Sequence, residues 1–177
     1  MAYDPTAAQR VQLGTCTVTF GTKDLGLTKG GVEVALSSET YKVLVDQFGN
    51  TEINEYITGR TVTVTVPLAE TDLTKLALVL PGSRIVTDTA VPTKKKLVVP
   101  TGVGFSLLSV ADKLVCHPVA LPATDKSQDF TVPLTAPKGE FTFAYKVNEE
   151  RVYTVTFTGY PDLTTGDLFV MGDSTAV

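Results

Sequence analysis

Residues 141–172 read FTFAYKVNEERVYTVTFTGYPDLTTGDLFVMG, and their periodicity decides the fold class. Phe141, Phe143, Tyr145 and Val147 fall on alternate positions, and so do Tyr153, Val155 and Phe157. Side chains alternate across a strand, so a period of two buries one face and wets the other. The polar tetrad Asn148-Glu149-Glu150-Arg151 separates the two runs, which predicts an antiparallel hairpin. Past Gly159-Tyr160-Pro161-Asp162, a last short strand is expected over Leu168–Met171, closed by Gly172-Asp173. The stretch carries no catalytic signature; it offers a sheet with edges that can build something.

The strand signal recurs outward from there. Cys16–Phe20 is short and is followed by the turn-rich Gly21-Thr22-Lys23-Asp24. Lys29-Gly30-Gly31 supplies a tight turn before Val32–Leu36. Tyr41–Gln47 alternates, and Arg60–Leu68 (RTVTVTVPL) alternates most cleanly of all, with Val62, Val64 and Val66 opposed to Thr61, Thr63 and Thr65. Pro67 should end that strand, because it cannot donate to a ladder. Phe105–Val110 and Leu114–Val119 are expected to pair around Ala111-Asp112-Lys113, and Phe130–Leu134 adds one more strand.

Two segments break the pattern. Phe48–Gly59 (FGNTEINEYITG) is an oversized connection carrying Ile53, Tyr56 and Ile57 among polar residues. It reads as a loop, as an extension of the hairpin limbs, or as a protruding arm whose apolar residues are buried only against another subunit; the last is favoured. Glu70–Leu80 predicts a helix, with Leu73, Leu76, Ala77 and Leu80 on one stripe, Thr71 as cap and Glu70 and Asp72 complementing the dipole. Leu78 and Val79 lie off the stripe, and Pro81-Gly82 stops the helix.

Composition excludes several classes. A chain of 177 residues suits one domain with a core that needs no staples. A net charge of −4 argues against a surface built to neutralise phosphates. No apolar run approaches the roughly 20 residues of a membrane span, so no membrane insertion is expected. MAYDPTAAQRVQLG does not read as a secretory signal, and cytosolic folding is the expectation. Cys16 and Cys116 read as buried thiols, with a bridge between them as the alternative.

Chemistry is thin. His117 is the single histidine, so no two-histidine metal site can form, and adjacent Cys116 and His117 would point to opposite faces of a strand. Gly102-Val103-Gly104 lacks the Lys and Ser/Thr of a phosphate loop. Lys94-Lys95-Lys96 reads as a solvated loop, or as a contact to an acidic neighbouring subunit. No enzyme, no catalytic residue, no metal and no cofactor are expected.

Residues 30–82, GGVEVALSSETYKVLVDQFGNTEINEYITGRTVTVTVPLAETDLTKLALVLPG, resemble the N-terminal half of bacteriophage major tail tube proteins. The shared order is a Gly-rich opening (Gly30-Gly31), a strand ending in an acidic or amide residue (Tyr41–Gln47), a Gly-Asn-Thr loop (Gly49–Thr51), a Gly-initiated alternating strand (Gly59–Leu68) and a short Leu-rich helix. The closing ERVYTVTFTGYPD and LFVMGD are similar to the family's C-terminal strands, whereas Ser83–Asp129 is less diagnostic.

The resemblance implies an all-β fold with one helix: a two-sheet β-sandwich or barrel in a single domain over 1–177, with an N-terminal arm (1–14), a long hairpin loop (48–59) and the helix (70–80). It implies a structural subunit whose homohexameric rings stack into a virion tail tube, assembled in the host cytoplasm. Partners would be further copies, the tape-measure protein, and the tail tip and tail terminator proteins. DNA would pass through the lumen during ejection without specific binding, and the tail would be sheathless. The alternation then suggests that Tyr41–Gln47 and Arg60–Val66 pair, valines to the core, with Thr61, Thr63, Thr65, Lys42 and Asp46 facing the channel. Asn50, Glu52, Ile53, Glu55, Tyr56 and Ile57, with Met1–Leu13, would contact the adjacent ring. The alternative is an immunoglobulin-like or carbohydrate-binding sandwich, which would want exposed aromatics gathered on one face or loop set; most aromatics here sit in register with core faces.

Overall fold

The computed structural model describes residues 13–70 and 72–176. It is all-β with one helix, and its strands pair antiparallel. The strands are β1 (Cys16–Phe20), β2 (Lys23–Asp24), β3 (Glu33–Leu44), β4 (Glu52–Leu68), β5 (Arg84–Thr87), β6 (Lys95–Val98), β7 (Asp112–Pro118), β8 (Phe130–Thr142), β9 (Tyr153–Tyr160) and β10 (Val170–Met171), with α1 spanning Leu73–Val79. Eight strands form one continuous sheet in the order β2-β1-β7-β8-β9-β4-β3, with β10 on β8, and β5 and β6 form a separate ribbon.

That sheet curls back on itself. Phe20 on β1 and Phe157 on β9 are three strands apart, about 14 Å on a flat sheet at ~4.8 Å per strand. Their ring centroids are nevertheless 5.3 Å apart. The core fills the inside of the curl: Val18, Leu25, Val62, Val64, Val66, Leu114, Val132, Val155 and Phe157 are all buried. A crossing segment ties the two ends together, since the amide of Leu25 donates to Val18, the amide of Ala69 donates to Leu27, and that of Lys29 donates to Pro67. The crossing makes a single bridge, Thr28 opposite Leu68, so the roll does not close into a barrel.

The valines of Arg60–Leu68 face this core, and Gly159 explains how closely β9 is packed beside them. A Cβ there would meet Val62 Cγ1 at 2.3 Å and Val132 Cγ1 at 2.9 Å, so only glycine fits. Residues Pro67 and Leu68 are buried within β4, so the proline does not end the strand. Helix α1 is shorter than its stripe. Asp72 caps it, accepting from the amide of Thr74 at 3.0 Å, while Thr71 lies outside the described residues. Val79, off the expected stripe, is buried, so the helix packs on a second side. Glu70 is drawn away from the dipole: it accepts from the Leu27 amide (2.8 Å) and pairs with Lys75 (2.5 Å).

Several expected elements differ. The alternation over 141–147 is not all strand: β8 stops at Thr142, and its pairing with β9 runs only to Thr142 opposite Thr154. Phe143, Tyr145 and Val147 fall in the following loop and are exposed. The stretch expected to end at Leu134 instead continues through Pro137 and Gly139, with a register shift between Pro137 and Phe141. Residues 105–110 do not pair with 114–119; Leu107–Val110 is a 3-10 turn, and β7 pairs with β1 and β8. The last strand is confined to Val170–Met171. The lysine run is not a plain loop, because β6 begins at Lys95.

Candidate functional site

The longest pairing in the molecule joins β3 to β4, from Glu33 opposite Thr65 to Leu44 opposite Glu52. This corrects the expected partners: Tyr41 lies opposite Tyr56, and Arg60–Thr65 pairs with Glu33–Ser38, so the two runs expected over 32–36 and 41–47 merge into one strand that stops at Leu44. Residues 52–59 are likewise strand, not loop. The connection shrinks to a tight turn around Asp46–Phe48 and Gly49, whose φ of 59° places it in the left-handed region. Of the three readings of Phe48–Gly59, the limb extension describes the backbone.

Only the proximal half of this ribbon rests on the core. From Ser37 outward on β3 and back to Arg60 on β4, almost every residue is exposed, whichever face it occupies. Register shifts fall between Glu39 and Thr40 and between Val43 and Leu44, leaving Thr58 and Ile53 as extra residues on β4. Such bulges sharpen the local twist of a free arm. Along it lie Asn50, Glu52, Ile53, Glu55, Tyr56 and Ile57, which the structure brings together on one limb and its turn. Ile53, Tyr56 and Ile57 stay 49%, 59% and 56% exposed. Among the described residues no strand pairs with the outer backbone edge of β3, and Val34 and Leu36 are exposed beside the buried Val64 and Val62.

The residues expected to face a channel fall into two groups. Thr61, Thr63 and Thr65 lie on the face of β4 away from the valines; Thr63 and Thr65 sit opposite Thr158 and Thr156 of β9, so threonines run across two strands. Lys42 and Asp46 are elsewhere. Lys42 is opposite Glu55, eight residues along β4 from Thr63, or about 26 Å at ~3.3 Å per residue. Its ammonium pairs with Glu52 at 2.5 Å, and that hydrogen bond holds its pKa above the ordinary lysine value. Asp46 begins the 3-10 turn at the tip. At its inner end the threonine face is partly roofed: Thr65 and Thr154 line a groove of about 690 Å³ with Glu149 and Glu150. Glu150 is held there by an ion pair with Lys29, which also holds its carboxyl below the usual range.

The titratable pairs elsewhere are structural in geometry. Cys116 is buried and His117 lies on the opposite side of β7, as the strand parity requires. His117 Nδ1 is 2.6 Å from Asp129 Oδ1, and Nε2 is 3.4 Å from the Leu121 carbonyl. No nucleophile is in hydrogen-bond contact with the ring among the described residues. Cys16 and Cys116 are free thiols on neighbouring strands, diagonal to one another across the β1–β7 ladder. A hydrogen bond from Cys116 lowers Cys16 to about 7 and pushes Cys116 upward, where burial adds to the shift. Among the described residues no group of three or more His, Cys, Asp or Glu could hold a metal ion. No described helix is long and apolar enough to cross a membrane.

One cluster escaped the sequence reading. In the loop after β8, the Arg151 guanidinium stands 5.2 Å from the ring centroid of Tyr145, 5.5 Å from that of Tyr153 and 6.0 Å from that of Phe143. Its Nη1 donates to the Tyr145 hydroxyl at 3.1 Å. By alternation these rings belong on a core face, whereas Tyr145 is 80% exposed. The available signal was Arg151 itself, a cation set between aromatics two and six residues away.

No protein-family model and no curated protein matches the chain. Among solved structures it is similar to the anti-feeding prophage cap, the cap that terminates the AFP tube: 13% identity over 93% of this chain and 91% of that one, with a TM-score of 0.49.

Proposed function

We propose that the chain is a structural subunit of a phage virion tail tube. Copies close into hexameric rings, and rings stack into a hollow tube that encloses the tape-measure protein and passes DNA. The observation that carries this reading is the β3–β4 arm, exposed on both faces, with a free backbone edge and large apolar residues in solvent. An edge strand this long is a hazard for a lone protein and a resource for one that assembles. The tail-tube resemblance of residues 30–82 supports the same reading. Within it, Thr61, Thr63 and Thr65 face the bore, uncharged and weakly binding to a passing polyanion. Lys42 and Asp46, out on the arm, serve contacts between subunits instead.

Electron microscopy and sedimentation of the purified chain over a concentration series test this. The expected result is monomer at low concentration and slow, nucleation-dependent growth of rings or tubes, because a single edge contact does not offset the lost translational freedom and a closed ring gains contacts on both sides. Monomer at every concentration, even seeded with tail tips, sinks the reading. One observation favours a second reading, a glycan-binding module: Phe143, Tyr145 and Arg151 gather on one loop. Glycan binding by a strict monomer, lost in Tyr145→Ala, would select it.

A further inference from the structure

The β5–β6 ribbon is a charged surface without an ionic partner among the described residues. Residues 84–98 carry Arg84, Lys94, Lys95 and Lys96 against the single carboxylate Asp88. That carboxylate is engaged by the turn, accepting from the amides of Ala90 (2.9 Å) and Val91 (2.8 Å). None of the four cations makes an ion pair among the described residues, and all four are exposed. Register fixes which way Arg84 and Lys96 look; Lys95, opposite Thr87 at the end of the ribbon, shares the face of Leu97 yet stays exposed. Val86 pairs with Lys96 and Arg84 with Val98, while Leu97, opposite Ile85, packs on the core. The Arg84–Lys96 face is therefore the outward one. Among the described residues nothing pairs with either outer backbone edge of the ribbon.

The arm is its electrostatic complement. Residues 39–55 carry Glu39, Asp46, Glu52 and Glu55 against the single cation Lys42, and β3 presents its own unpaired edge. No ion pair joins arm to ribbon within the described chain. We propose that the basic β5–β6 ribbon of one copy receives the acidic β3–β4 arm of the next. This rests on the tube reading and names the surface that one subunit offers another. The contact is head-to-tail, joining two different patches, so it propagates into rings or stacks rather than stopping at a dimer.

The test uses the full chain in two reversed forms. One carries Lys94→Glu, Lys95→Glu and Lys96→Glu; the other carries Glu39→Lys, Asp46→Lys and Glu55→Lys. All these sites are exposed, so circular dichroism should match the parent and thermal unfolding should fall by only a few degrees, the loss of the Thr40–Glu55 hydrogen bond included. Each form alone should need at least about a tenfold higher concentration to assemble, since like charges now meet at every contact. An equimolar mixture should recover, because each reversed ribbon then meets a reversed arm and each native ribbon a native arm. Raising salt from about 0.1 M to about 1 M, where the screening length falls from ~10 Å to ~3 Å, should weaken assembly of the parent. Assembly indifferent to both reversals overturns the pairing and leaves the tube reading standing. Recovery absent from the mixture overturns it too. So does a parent whose self-association survives the lysine reversal while retention on duplex DNA is lost, which would assign the ribbon to a polyanion. A parent that never associates overturns both readings.

Discussion

Truncating the apolar residues of the arm separates folding from assembly. In the triple variant Ile53→Ala, Tyr56→Ala, Ile57→Ala, the residues replaced are about half exposed in the isolated chain. Complete burial of such a side chain is worth about 1.5–3 kcal/mol, so the half that an interface could still cover leaves about 1 kcal/mol each, or about 3 kcal/mol for three. At about 1.4 kcal/mol per decade, that raises the concentration needed for assembly roughly a hundredfold. Folding should barely notice. The main intrachain loss is the cross-strand pairing of Tyr56 with Tyr41, a contact of about 0.2–1 kcal/mol. The expected drop in unfolding temperature is then only about 2–4 °C. Pelleting and negative-stain microscopy over a concentration series give the first quantity, and a thermal melt gives the second. Normal tubes at parental concentrations refute the reasoning, for the arm is then only a long hairpin. A drop in melting temperature beyond about 10 °C would refute it differently, by showing that the arm rests on the body.

Three further outcomes follow from the body of the fold. Val64 is 1% exposed, so Val64→Asp should cost several kcal/mol by burying an unpaired carboxylate, while Thr63→Ser on the opposite face should be nearly silent in a denaturant titration. Gly159→Ala drives a methyl into Val62 and Val132; a loss of about 1–3 kcal/mol is expected, and an unchanged melt would mean that β9 is packed more loosely than described. Asp129 raises the pKa of His117, chiefly through their hydrogen bond. The extra stability is therefore fully present below the ordinary histidine value of about 6.5 and fades as pH rises through the raised value. His117→Gln should thus destabilise most near pH 5.5 and progressively less toward pH 8 or so, and a pH-independent difference would contradict the assignment.

Period-two alternation located the core strands because burial there is one-sided. Val62, Val64 and Val66 are buried while Thr61, Thr63 and Thr65 face the other way, and nothing but local sequence is needed to see it. The same rule misled at Phe143 and Tyr145. A strand needs a partner as well as a pattern, and β9 offers none past Tyr153, so the rings stack around Arg151 instead. At Pro137 and Gly139 the chain passes through with an irregular register, and pairing on β9 resumes at Phe141, so β8 runs well past Leu134. Strand order was beyond reach: β1 meets β7 across about a hundred residues, and only the closed core decides that neighbour.

The arm shows where sequence periodicity stops carrying information. Tyr41, Tyr56 and Ile57 have the character of buried residues, and the chain by itself leaves them wet. A pattern reports that a face is meant to be covered; it does not say whether the cover comes from the same chain. On the body the cover is intramolecular, since the curl brings Phe20 onto Phe157. Beyond Ser37 and Arg60 almost every described residue of the ribbon is exposed, and its ladder shifts register twice. The core closes without the arm, and the apolar residues of the arm stay exposed in the single chain. That asymmetry, more than any residue type, marks the arm as the surface a second copy would cover.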